Sequence, residues 1–287
     1  MNPFVDQDDP TVVAAAQQGD RSALTEIVER HRPWVYNIAV RMMGNPAAAE
    51  DATQDIFIKV VHQIGTFEGR SSFRTWLYRV AFHHLLNAKR SPGEHAVGTF
   101  EEYAAGLQAA PNLDLEDIPQ PERELLVEEA MTACMTGMLL CLSREQRLAY
   151  VLGSVFDLQD TLAAEILDIK PATFRKRLQR AKTDLHSFMN GQCGLIDKSN
   201  PCRCAHKTRA FFEAGHLDRR NLEFQRDRVA SIGDMASREA GVVFEKLKHD
   251  YPALYRQHAF TDPQQLKQRL STLLEDTALG GLLPSDG

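Results

Sequence analysis

The chain has 287 residues, 43% hydrophobic and 25% charged, the proportions of an ordinary soluble protein with room for two or three small domains. Its formal charge is −6 and its pI about 5.9, so overall basicity is excluded as a means of holding nucleic acid, and any such surface must come from locally segregated cations. No apolar run has membrane-spanning length and the start, MNPFVDQDDP, lacks a signal-peptide pattern, so a cytoplasmic protein without a membrane partner is expected. No motif for nucleotide chemistry, metal-assisted hydrolysis or nucleophilic catalysis occurs, and a non-enzyme is expected.

The periodicity is helical from the start, and the expected fold class is all-α. Asp9-Pro10 supplies a capping acceptor followed by a first-turn proline, so a helix should run through 12–18 and stop at Gly19. A longer helix is expected over 22–43, with Leu24, Ile27, Val28, Val35, Ile38 and Ala39 facing inward, and Pro33 should kink or divide it. Gly44 should end it, and Asn45-Pro46 should start the next helix, which reaches about Gln63. In that helix Ile56, Val60 and Ile64 form one apolar line and Phe57 with Val61 a second. Asp51 and Asp55 stand one turn apart on the other side, beside Gln54. Paired carboxylates raise metal binding and acid–base catalysis, but no His or further acid stands at ligand spacing.

From Arg70 onward the stretch 67–90 carries Arg70, Arg74, Arg79, Lys89 and Arg90 and no acid, interleaved with Phe73, Trp76, Tyr78 and Phe82. Cations can meet phosphates while rings stack on unpaired bases. Phe73, Leu77, Val80 and Leu85 recur at helical spacing, so a core helix with a solvated basic face is the competing reading.

Two blocks together shift the balance between these readings. EDATQDIF at 50–57 and FEGRSSFRTWL at 67–77, in this order and spacing, closely resemble domain 2 of the sigma-70 family of bacterial RNA polymerase sigma factors, most of all its small extracytoplasmic-function (ECF) type. The resemblance spans about 9–90. It implies that Asp51, Gln54, Asp55 and Phe57 dock on the clamp helices of the polymerase's largest subunit. It implies that Phe67, Arg70, Ser71, Ser72, Arg74, Trp76, Arg79 and His83 recognise and melt a minus-ten promoter element. The loop 67–72 would accept a flipped non-template base. His83 stands where Asn is common in the family, so promoter preference does not carry over.

Between 91 and 130 there are ten acids and a single base, Arg123, and Pro92, Gly93, Gly98, Gly106, Pro111, Pro119 and Pro121 should break any long helix. This reads as an acidic linker, a solvated charge run by itself. The resemblance implies a segment threading the polymerase cleft as a mimic of nucleic acid. Helix resumes near Glu122, and Ser143 should cap another at LSREQR. The segment 162–185 then reads helix, turn at Asp168-Ile169-Lys170, helix. Ala163, Ile166, Leu167 and Ile169 should face Phe174, Leu178 and Leu185. The outer face of the second helix carries Arg175, Lys176, Arg177, Arg180 and Lys182. That is a helix-turn-helix basic enough for a major groove, and it resembles sigma domain 4. The resemblance places Lys170, Thr173, Arg175, Lys176, Arg177, Arg180 and Lys182 at a minus-thirty-five element. Asp168 replaces the usual turn Gly, which Asp tolerates. Lys170 replaces a capping Ser, and Phe174 replaces a smaller residue, which should widen the helix packing.

The segment 191–287 exceeds the minimal two-domain factor. Helices are expected near 207–213, 234–249 and 262–276, with Phe211, Phe212, Val242, Val243, Phe244, Leu247, Leu266, Leu270, Leu273 and Leu274 as core or docking residues. Of five cysteines, Cys193, Cys202 and Cys204 fall close together with His206 nearby. The spacing C-x8-C-x-C is not a standard zinc-finger spacing, and metal (zinc), redox and plain structural thiols all stay open. The expected domains are 1–92 (domain 2), 93–121 (linker), 122–190 (domain 4) and 191–287 (extension). The expected function is a dissociable sigma factor needing no cofactor. Its partners would be core RNA polymerase and promoter DNA, with regulation by an anti-sigma factor or by the extension itself. The rival readings are a stand-alone helix-turn-helix regulator, which leaves the 51–76 blocks unexplained, and an inactive adaptor or anti-sigma protein on the same fold.

Overall fold

Polar caps set most of the helix boundaries. The computed structural model describes residues 10–219, 222, 224, 251–257, 260 and 263–275, and its helices are numbered here in order among those residues. α1 (Pro10–Gln17) ends ahead of Gly19 at φ 83°. α2 (Arg21–Met43) starts on Asp20, whose carboxylate accepts the Ser22 and Ala23 amides, and ends at Gly44 in the left-handed region. Pro33 does not divide α2, which runs as one helix through it. Proline removes one backbone donor, and both sides of Pro33 are held by buried residues from Leu24 to Met42. α3 (Pro46–Gln63) is capped by Asn45, which accepts the Ala48 amide at 2.9 Å. α4 (Phe73–Asn87) is capped by Ser72, which accepts the Thr75 amide at 3.1 Å.

The acidic stretch is more ordered than its composition suggests. α5 (Pro92–Ala96) and α6 (Phe100–Ala109) each open on a complete capping box, Ser91 with Glu94 and Thr99 with Glu102. Leu107, Leu115 and Ile118 are buried, so the segment lies on the protein. A Cβ at Gly93 would stand 2.8 Å from the Gly44 carbonyl oxygen, so the chain passes backbone to backbone there.

α7 (Gln120–Leu140) and α8 (Arg144–Tyr150) follow, the second capped by Ser143 as expected. α8 runs into a wide π turn, Val151–Val155. α9 (Asp160–Ile166) and α10 (Pro171–Gln192) form the helix-turn-helix. Asp168 adopts φ 53°, and Lys170 caps α10 without a side-chain bond. Phe174 is fully buried between the two helices, whereas Leu185 belongs to a different cluster with α7. One-sided packing over 22 residues turns Leu185 away from α9.

In the extension lie α11 (Cys204–Glu213), α12 (Tyr251–Gln257) and α13 (Gln264–Glu275). The expected helix at 234–249, with Val242, Val243, Phe244 and Leu247, lies outside the described residues. One apolar core joins α1–α4 to α8, α9 and the Leu266, Leu270 and Leu274 stripe of α13. A second gathers α7, α10, Ile196 and Tyr255. No strand occurs among the described residues, where an isolated bridge links Cys193 to Cys202.

Candidate nucleic-acid interface

The loop before α4 is built from aromatic contacts. The Phe67 ring lies 5.4 Å from Phe73 and 5.7 Å from Trp76, which is itself 5.5 Å from Phe73. Gln17 of α1 ties the loop down by donating to the Phe67 carbonyl at 2.8 Å and the Ile64 carbonyl at 3.2 Å. Gly69 takes φ 71°, which lifts Glu68 and Arg70 outward, and these two form an exposed ion pair. Ser71 and Trp76 are half-buried, and Ser72 and His83 are exposed.

Two expected site residues are buried. Arg74 is buried at 5% exposure, because it shares the inward side of α4 with Thr75 and Tyr78. Phe57 is fully buried on the second apolar line of α3 and belongs to the core. Tyr78 and Phe82 are also core residues, stacked at 5.8 Å. The cations left on the outer side of this stretch are Arg70, Lys89 and Arg90, with Arg79 half-exposed.

Arg79 does not stand alone: its guanidinium donates to the Glu165 carbonyl of α9 at 3.0 Å. The two halves are joined further by Trp34 against Phe156 at 4.7 Å and by a buried ion cluster. There Arg144 meets Glu94 at 2.6 Å and Arg147 meets it at 3.0 Å. Burial alone would raise the Glu94 carboxyl, but the hydrogen bonds from Arg144 and the Ser91 amide, and the charges of both arginines, hold it down at about 2.

On α3, Asp51 and Asp55 are exposed and Gln54 half-buried. Asp55 lies 4.0 Å from His84, whose Nδ1 is 2.9 Å from Lys59. Burial, then Lys59, lower the His84 pKa against the opposing pull of Asp55. Asp51 accepts from Arg269 of α13 at 2.9 Å.

On α10, Lys170, Thr173, Arg175, Lys176 and Arg180 are exposed, and Arg177 and Lys182 are half-exposed. Arg175 is held by Asp160 at 2.7 Å, across the hairpin. In the C-terminal half of α10, His186 stacks on Tyr251 of α12 at 4.0 Å.

The cysteine cluster gains a member that spacing could not reveal. Cys134 of α7 lines the same cavity of about 20 Å³ as Cys193, Cys202 and Cys204, while His206 is exposed. Burial pushes the Cys134 thiol up to about 12, and it raises Cys193, Cys202 and Cys204 as well. No group of three His, Cys, Asp or Glu among the described residues is placed to hold a metal. Cys134 lies fifty-nine positions before Cys193, so only the fold brings them together.

Known proteins match the sequence of this chain. The family model described as Sigma-70 region 2 matches residues 27–93. The RNA polymerase sigma-H factor of Pseudomonas aeruginosa is 29% identical over 181 residues, which cover 61% of this chain and 91% of that protein. The ECF RNA polymerase sigma-E factor of Haemophilus influenzae is 30% identical over 180 residues, covering 61% of this chain and 91% of that protein. A solved structure of CnrH in complex with the cytosolic domain of CnrY aligns with 63% of this chain and 96% of its own at 21% identity and TM-score 0.44. With nine-tenths of an ECF factor's length matched at this identity, the chain belongs to the extracytoplasmic-function family of RNA polymerase sigma factors.

Proposed function

We propose that this sigma factor engages core RNA polymerase through the polar side of α3, around Asp51, Gln54 and Asp55. It then opens the minus-ten element with the loop 67–72 and the exposed side of α4. Phe67 and Trp76 supply a half-buried aromatic platform of the kind that receives an unstacked base. Arg70, Lys89 and Arg90 meet phosphates, which position the duplex without reading it. The exposed side of α10 reads the minus-thirty-five element through Arg177 and Arg180, with Lys170, Thr173, Lys176 and Lys182 around them. The observation that carries this reading is the outward row of cations on α10 in a chain of formal charge −6.

The protein works in the cytoplasm, where the polymerase is. It needs no cofactor for this role. Zinc at the thiol cluster is decided by metal analysis of anaerobically purified protein, where about one equivalent lost to chelator would assign it. The function is tested by run-off transcription from fragmented genomic DNA with added core enzyme. Discrete promoter-dependent transcripts are expected, and a product pattern identical to that of core enzyme alone would overturn the reading.

A further inference from the structure

The most exposed acidic side of α3 already has an occupant from this same chain. α13 lies along α2 and α3 with Leu266, Leu270 and Leu274 buried in their shared core. The three leucines repeat every four residues, so they form one stripe, and the cations flank it. Lys267 meets Glu29 of α2 at 3.3 Å. Arg269 meets Asp51 of α3 at 2.9 Å and comes within 4.0 Å of Glu50. An amphipathic cationic helix is thus seated beside the carboxylates assigned above to polymerase docking.

The path leading to α13 is anchored by groups suited to release. Asn37 of α2 accepts from the Phe260 amide at 2.8 Å and donates to the Phe260 carbonyl. Arg41 donates to the Tyr255 carbonyl at 2.8 Å and lies 4.8 Å from the Phe260 ring. These contacts are hydrogen bonds to backbone groups, for which water is an alternative partner wherever it gains access.

We propose that α13 is an internal competitor for the polymerase at the Asp51 end of the α3 docking face. The inference rests on the reading of that face as the docking face. Asp51 keeps 70% of its side-chain surface exposed, so α13 takes one edge of the site and neutralises one charge rather than covering the whole. Restraint is therefore graded: the fraction of molecules with α13 displaced scales the apparent affinity for core polymerase. The extension need not be removed for the factor to act, and the polymerase itself displaces the helix.

The test uses the full chain and purified core RNA polymerase. Lys267→Glu combined with Arg269→Glu reverses both contacts at side chains that are 55% and 43% exposed, so folding is not at stake. Core affinity should rise roughly three- to tenfold, the order expected for two exposed ion pairs turned repulsive. Amide exchange over 264–275 in the wild-type chain should quicken when core enzyme is added. Unchanged affinity of the double variant, or slower exchange of 264–275 in the complex, overturns the inference. Asp55→Arg, which leaves the Arg269 contact in place, separates it from the underlying reading. If that variant binds core enzyme as tightly as wild type, the docking face itself is misassigned. If it binds weakly while the double variant is unchanged, the docking face stands and internal competition falls.

Discussion

Glu94 and Arg147, 53 residues apart in the chain, form an ion pair of 3.0 Å with both side chains under 5% exposed. Arg147 completes its coordination with the carbonyls of Leu139, Leu140 and Leu142, all within 3.1 Å, and with that of Met42. One carboxylate thus serves two guanidiniums at the seam between the amino-terminal helices and α7–α8.

This pair makes the fold acid-sensitive in a defined window. The Glu94 carboxyl is held at about 2, below its unfolded value near 4.5, so it contributes stability that is complete above about pH 4.5 and is lost as pH falls toward 2. The difference corresponds to about 3 kcal/mol. Glu94→Gln should cost about 3–5 kcal/mol at pH 7, since it strands buried guanidinium charge. Its urea stability should also be flatter than wild type between pH 5 and 2.5. Equal pH profiles for the two proteins would remove Glu94 from this role.

The reading proposed for α10 divides its cations into two kinds. Arg177→Ala and Arg180→Ala should each lower affinity for a specific minus-thirty-five duplex by about 1–3 kcal/mol where a bidentate base contact is lost. Lys182→Ala should weaken specific and random duplexes alike and reduce the salt slope by about one. Arg175 is restrained by Asp160, so Asp160→Asn should tighten DNA binding by less than about fivefold, more at low salt. Equal losses on specific and random DNA for all three cation variants would end the assignment of base contacts.

Phe174 is the hinge pin of the hairpin, with no exposed surface and with Ala163, Ile166 and Leu167 in the same core. Phe174→Ala should cost about 3–5 kcal/mol. DNA affinity should fall on every sequence, because the angle between α9 and α10 is lost rather than a contact. Thermal denaturation within a degree of wild type would contradict this packing.

The thiols should be sluggish. Burial keeps Cys134 and Cys204 protonated at neutral pH, and a thiol is a poor nucleophile in that form. Iodoacetamide at pH 7.5 should label them far more slowly than in denaturant, as read by mass spectrometry. Rapid modification of Cys134 in the folded protein would show that the cavity is open.

Much of the fold was legible because its signals are local. Asn45-Pro46, Gly44, Ser143 and Asp168 each act within a turn of their own position, and all do what their chemistry dictates. The capping boxes at Ser91 and Thr99 were just as local, but the surrounding acids and glycines drew the reading toward an open linker. The site divides in the same way. The exposed cations of α10 follow from helical phase, whereas Arg74 turns inward because α4 is packed on both flanks of its apolar stripe. Cys134 with Cys204, and Arg269 with Asp51, are pairings between distant segments that no pattern in one sequence encodes.

The wide turn at Val151–Val155 lies where the two large cores meet. Leu148, Ala149, Val151 and Leu152 point into one, and Tyr150 and Val155 into the other. The Phe156 amide reaches back five residues to Val151 at 2.9 Å, so the turn holds one residue more than an α-helical turn would. That surplus residue acts as a gear offset. Deleting one residue here would shift the phase of α8 against the helix-turn-helix by about 100°, and the packing of Phe174 and Leu178 on the turn and the Arg79 bond to Glu165 would all have to be rebuilt. The length of this turn therefore sets the rotational register between α8 and the helix-turn-helix, and a one-residue deletion is felt by both large cores at once.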